Sequence, residues 1–152
     1  LSQNIVFDGH IQIPVLTLHT TADGLVPVEH EQAYASVVRA ARQNQLLRQS
    51  YIHRAGHCNF TPAEEIGALQ AIIQRLDMGK WKNSTHPHIL NQAAEALGGG
   101  LNTSPPAFVT FTPGPFLRPF DLRSGISPDS LSDIPLVGQP SDLTTEDSLL
   151  DK

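Results

Sequence analysis

Two residues in this chain have the types and setting for acid–base chemistry. Asp23 lies in Thr20-Thr21-Ala22-Asp23-Gly24, and His57 lies in Arg54-Ala55-Gly56-His57-Cys58-Asn59. A carboxylate can accept a hydrogen bond from one imidazole nitrogen. That bond fixes the tautomer and stabilises the imidazolium that forms when the other nitrogen takes a proton. The histidine can then serve as general base and afterwards as general acid. An acyl intermediate needs a third partner, a nucleophile, most often a serine.

Both residues follow segments that read as strands. Ile13-Pro14-Val15-Leu16-Thr17-Leu18-His19 is a nearly continuous apolar run, which suits a strand buried on both faces of a parallel sheet. Thr20 to Gly24 has turn chemistry and should end it. Leu46 to Arg54 is a weaker second strand, with Leu47, Tyr51 and Ile52 as its apolar content. Between them, Glu29 to Gln43 reads as a helix with Ala33, Val37, Val38 and Ala41 on one face. Pro27 lies just before it, acidic residues open it and Arg39 and Arg42 close it, as the helix dipole favours. After His57, Thr61 is the expected N-cap, Pro62 the first helical residue and Glu64 the partner in a T-x-x-E capping box. Ile66, Leu69, Ile73 and Leu76 should form that helix's buried stripe, Gly79 its stop, and Trp81 can pack back on the core. His88 to Leu97 reads as a further short helix, and Phe108-Val109-Thr110-Phe111 alternates like a short strand.

Blander readings stand beside this one. Asp23-Gly24 is also a good hairpin turn between Leu16-Thr17-Leu18 and Leu25-Val26, against which Pro27 and the following helix count. A lone loop histidine is by default structural. His53, His57 and Cys58 invite a metal reading, but no fourth ligand is evident, so no metal is expected. Cys58 stands next to His57, yet neighbours in sequence rarely face each other, and a small buried thiol is expected. His86 and His88 read as surface residues near a helix start. The sequons at Asn59, Asn83 and Asn102 are about what this Ser/Thr content gives by chance, and a glycan on Asn59 would crowd His57.

The stretch Pro14-Val15-Leu16-Thr17-Leu18-His19-Thr20-Thr21-Ala22-Asp23-Gly24-Leu25-Val26-Pro27 resembles the acid-bearing strand and turn of α/β-hydrolases. Arg54-Ala55-Gly56-His57-Cys58-Asn59-Phe60-Thr61 with the Glu64 helix resembles their terminal histidine loop and last helix. The order agrees, because in that fold the partners run serine, acid, histidine. The resemblance covers roughly residues 10–82, about half of the chain. It implies an α/β fold made of the last parallel strands and helices of the hydrolase, with Asp23 as orienting acid and His57 as base. It implies cleavage of carboxylic esters or related acyl or peptide bonds by the parent enzyme, with no organic cofactor. The departure is large. No serine here has the flanking glycines of a G-x-S-x-G elbow, and only Ser2 precedes Asp23. The expectation is therefore a C-terminal segment, inactive alone, that needs a preceding part of the fold. A non-catalytic binding module on a hydrolase-like scaffold fits the missing serine equally well, and an unrelated small α/β domain mimicking both motifs is a third reading.

Composition narrows the classes further. The chain has 152 residues, 39% apolar and 16% charged, with a net charge of −5. A nucleic-acid binder should show a basic face, so nucleic acid is not an expected partner. No apolar run approaches the roughly 18–20 residues of a membrane helix, so no membrane partner is expected either. One cysteine excludes an internal disulfide framework. The organisation expected is a hydrolase-like segment over 1–82, an extension with a short helix and a Phe/Pro-rich stretch over 83–121, and an irregular acidic tail over 122–152. Residues 108–121 could cover a sheet edge, dock on a neighbour or trail free. About 80 patterned residues with two parallel strands make a marginal core with an exposed apolar edge.

Overall fold

A computed structural model describes residues 7–116, so the expectation of an irregular tail over 122–152 lies outside the described residues. The described residues form a small mixed α/β domain of three strands and three helices. Strand β1 (Val15–Ala22) and strand β2 (Leu47–Ala55) pair in parallel, from Val15 opposite Leu47 to Thr20 opposite Ile52, with an irregularity before Ala22 meets Ala55. Helix α1 (Glu29–Ala40) connects them, the crossover that parallel neighbours require. Helices α2 (Pro62–Met78) and α3 (Pro87–Ala96) follow. Strand β3 (Phe108–Val109) then pairs antiparallel with β2, so the sheet is mixed rather than wholly parallel.

Strand β1 sits two residues later at its start, and three at its end, than the apolar run implies. Ile13 lies outside it and is 68% exposed. Thr20, read from sequence as the start of a turn, is buried inside it, where its hydroxyl donates to the Gly56 carbonyl at 2.6 Å. Pairing with β2 overrides the local turn chemistry. No strand follows Asp23-Gly24; the chain enters α1 instead, so the hairpin reading does not hold. Helix α1 ends at Ala40, short of Gln43, because Arg42 adopts a left-handed φ of 60°. There Gln43 N–H reaches the Val38 carbonyl and Arg42 N–H that of Arg39, a Schellman closure with arginine in glycine's place. Of the four residues expected to line the inner face of α1, Val38 alone is fully buried.

Helix α2 has the predicted ends. Thr61 Oγ1 accepts from Glu64 N–H, the Glu64 carboxylate accepts from Thr61 N–H, and Gly79 closes the helix at φ 69°. Its buried face is not the predicted one. Ala63, Glu64, Gly67, Ala68 and Ala71 point inward, whereas Leu69, Ile73 and Leu76 are 56, 47 and 62% exposed. Small residues allow the α2 backbone to approach α3 closely, and that approach turns the bulky stripe outward.

The core joins Ile52 of β2, Ala71 of α2, Leu90 of α3 and Phe108 of β3, with Leu16, Leu18, Phe60 and Ala107 packed against it. Residues beyond 82 thus share a core with those before it, and Phe108 and Val109 cover one edge of β2. Strand β1 has β2 on one side and no strand on the other among the described residues. Beyond α2, Trp81 is 3% exposed and bridges two elements. Its Nε1 donates to the Gln45 carbonyl at 3.0 Å, and the guanidiniums of Arg48 and Arg75 each lie 5.7 Å from its ring.

Candidate acid–base site

Because β1 and β2 are parallel neighbours, the loops at their carboxyl ends come together, the usual place for a site in such sheets. Asp23 follows β1 and His57 follows β2. His57 Nδ1 lies 2.8 Å from Asp23 Oδ2. The other carboxylate oxygen, Oδ1, accepts from the backbone N–H of Leu25 at 2.8 Å and of Val26 at 3.0 Å. The Asp23 side chain is 4% exposed and the His57 ring 45%.

These bonds define protonation. The Val26 N–H, helped by that of Leu25 and by His57, outweighs desolvation and holds the Asp23 pKa down at about 2. Asp23 is therefore a carboxylate, an acceptor only, and the hydrogen between the two residues sits on His57 Nδ1. In the neutral ring Nε2 is then the free acceptor. The sign of the linkage follows from the lowered value. Stability from the Asp23 contacts is fully present above 3.8, the ordinary value, and is lost as pH falls through about 2. A carbon-detected NMR titration should place the Asp23 carboxyl midpoint near 2; a midpoint near 4 would show that these bonds do not hold in solution.

The His57 loop is anchored at several points. Gly56, at φ 100°, permits a turn that other residues resist. Its N–H donates to the Ala22 carbonyl at 3.0 Å and its carbonyl accepts from Thr20, so the end of β1 grips the loop. The Asn59 amide donates to the Ala55 carbonyl at 2.9 Å, closing the loop on itself. Arg54 Nη1 donates to the Asn59 carbonyl at 2.9 Å and to Glu64 Oε2 at 2.7 Å, while Nη2 reaches Glu64 Oε1 at 3.1 Å and the Pro105 carbonyl at 3.1 Å. Glu64 is fully buried and also accepts from the Thr61 and Ala107 N–H groups. One ion pair thus joins the end of β2, the histidine loop, the start of α2 and the segment leading into β3.

Thr20 and the Arg54–Glu64 pair hold the histidine loop in place, and the sequence alone does not single them out. Glu64 is legible there only as a capping residue, and a charge three residues before His57 is the one sign of its partner. Cys58 also departs from expectation. It is exposed rather than buried, and its left-handed φ of 48° turns Sγ to within 3.5 Å of His57 Nε2. His53, on β2, is exposed and has Nδ1 3.5 Å from the Thr21 hydroxyl. Among the described residues no three His, Cys, Asp or Glu side chains group as metal ligands. His86 caps α3, its ring accepting from the His88 N–H at 3.3 Å, and both histidines are at the surface. Two cavities lie away from this pair. One of about 360 Å³ is lined by Arg39, Arg48 and Tyr51, and another of about 480 Å³ by Gly67, Ile73 and Leu90.

No protein-family model matches the chain, and no solved structure does. A curated relative does. An o-phthalyl amidase from Xanthobacter agilis is 39% identical over 92 residues, which take in 60% of this chain and 20% of the amidase. The chain therefore spans about a fifth of the length of the relative it matches, and through that partial similarity it is related to a protein bearing a hydrolase's name.

Proposed function

We propose that residues 10–82 supply the acid and the base of a serine hydrolase of the α/β-hydrolase type, acting on carboxylic esters, amides or related acyl bonds. The observation that carries this reading is the 2.8 Å contact between His57 Nδ1 and Asp23 Oδ2 across the ends of two parallel strands. The amidase name of the relative supports it. In the reaction, His57 Nε2 takes the proton of a serine hydroxyl as the oxygen attacks the substrate carbonyl. The imidazolium, held by the Asp23 carboxylate, then returns that proton to the leaving amine or alcohol. Water repeats the cycle on the acyl-enzyme, and Asp23 remains ionised throughout. Serine, oxyanion donors and acyl pocket come, in this reading, from residues outside these 152. Three further features agree with that. The sequence has no G-x-S-x-G, the side of β1 that carries no strand among the described residues is where further strands would add, and the outward stripe of α2 is apolar.

The test is a fluorophosphonate probe applied to the longer protein that carries this segment. One serine outside residues 1–152 should be labelled, and His57→Ala should abolish the labelling. The 152-residue chain by itself should leave a p-nitrophenyl ester unhydrolysed. Labelling that ignores His57, or ester turnover by the short chain that is lost in His57→Ala, would refute the proposal. A longer protein without any reactive serine would favour a binding module on the same scaffold.

A further inference from the structure

The hydrolase reading uses Asp23 and His57 and leaves Cys58 without a role. The geometry does not. Asp23 Oδ2, His57 Nδ1, His57 Nε2 and Cys58 Sγ form one connected line, with contacts of 2.8 Å at the acid end and 3.5 Å at the sulfur end. Imidazole has two nitrogens; Asp23 commits the first as a donor, so the second is the acceptor that faces the thiol. The sulfur is exposed and can be reached by a reagent from solvent. A thiol is nucleophilic as its thiolate, and a neighbouring base that can hold the proton is what separates a reactive cysteine from an inert one.

We infer that Cys58 is a thiol–disulfide exchange site whose base is His57, and that it takes up low-molecular-weight disulfides as a mixed disulfide. The step balances without another reagent. His57 Nε2 accepts the Cys58 proton, and Sγ attacks one sulfur of the incoming disulfide. A new S–S bond forms as the old one breaks, and the second half leaves as a thiolate that takes the proton back from the imidazolium. Cys58 is oxidised to the disulfide level and one half of the reagent is reduced to a thiol. Asp23 steadies the transient imidazolium, as it would in acyl transfer. The exchange needs no serine, so it stands apart from the hydrolase reading. If both hold, the adduct fills the Nε2 side of the ring, and a reductant reversibly restores the base.

The experiment follows the release of 4-thiopyridone from the 152-residue chain treated with the neutral reagent 4,4′-dithiodipyridine, with circular dichroism confirming that each variant keeps its fold. The native chain should react about tenfold or more faster than the same chain in urea. His57→Gln and Asp23→Asn should both fall to about the urea rate, because the asparagine amide leaves the ring hydrogen on Nε2, where it faces the thiol. On methylthiolation of Cys58, the His57 ring signals in a histidine-selective NMR spectrum should move. Equal rates for the native, His57→Gln and urea-unfolded chains would overturn the inference, and so would ring signals unmoved by the adduct. Because the assay needs no acyl substrate, its failure would leave the fluorophosphonate result untouched, and the reverse also holds.

Discussion

On the proposed function, Asp23→Asn in a longer protein carrying this segment is expected to lower kcat by about 10⁴ with little change in KM, the scale reached when a triad acid becomes an amide. The physical cause can be read from the two carboxylate oxygens. Oδ1 accepts from the N–H groups of Leu25 and Val26, and only an oxygen can occupy that position. An asparagine must therefore keep its carbonyl there and turn its NH₂ toward His57 Nδ1. Two donors cannot face each other, so the ring moves its hydrogen to Nε2 and presents no base to the nucleophile. Steady-state kinetics on a chromogenic ester or anilide would measure the loss, and nitrogen-15 shifts of the His57 ring would report the tautomer. Activity within tenfold of the parent, or a ring still protonated at Nδ1, would refute this assignment of Asp23.

Glu64→Ala is expected to cost about 3–5 kcal/mol of folding stability, the scale for removing one partner of a buried ion pair. The substitution strands Arg54, whose side chain is only 15% exposed and lies beside a fully buried carboxylate. It also removes the acceptor of the Thr61 and Ala107 N–H groups, and with them the capping box and the lead into β3. Such a cost is a large share of the stability of any small domain. Urea titration followed by circular dichroism would measure it, and a loss below about 1 kcal/mol would show that the pair is not formed. Replacing both partners, Arg54→Met with Glu64→Leu, should recover part of the loss, because an apolar pair leaves no charge unmatched. The pair also carries a pH dependence. Burial pushes the Glu64 pKa up, but hydrogen bonds from Arg54 above all, then from Thr61 and Ala107, outweigh it, and the pKa ends below the usual 4.5. Its stabilisation is therefore complete above 4.5 and fades as pH falls through the lower folded value.

The pair at the heart of the site was legible because its signals are local. Asp23 sits in a turn after an apolar run, and His57 in a loop before a capping box, and strand pairing does the rest. The ends of α2 were legible for the same reason, since Thr61, Pro62, Glu64 and Gly79 act within one turn of the backbone. The inner face of α2 was not. Periodicity ranks Leu69, Ile73 and Leu76 by hydrophobicity, whereas close approach to α3 selects Ala63, Gly67 and Ala71 by size. The Arg54–Glu64 pair and the Thr20 grip on Gly56 join residues far apart in the chain, and such contacts have no local signature. Cys58 escaped for a different reason. Adjacent side chains normally diverge, and only its left-handed backbone brings sulfur and ring together.

Trp81 is the one tryptophan in the chain, and its seat between α2 and β2 makes it an optical gauge. Its indole is dry, hydrogen-bonded to a carbonyl and flanked by Arg48 from the start of β2 and Arg75 from the last turns of α2. Fluorescence from this chain therefore reports one event, the seating of the far end of α2 on the sheet. Asp23 and His57 lie at the opposite end of β2. A blue emission that persists while ring chemistry at His57 is altered would separate local changes at the site from loosening of the scaffold, with no label added.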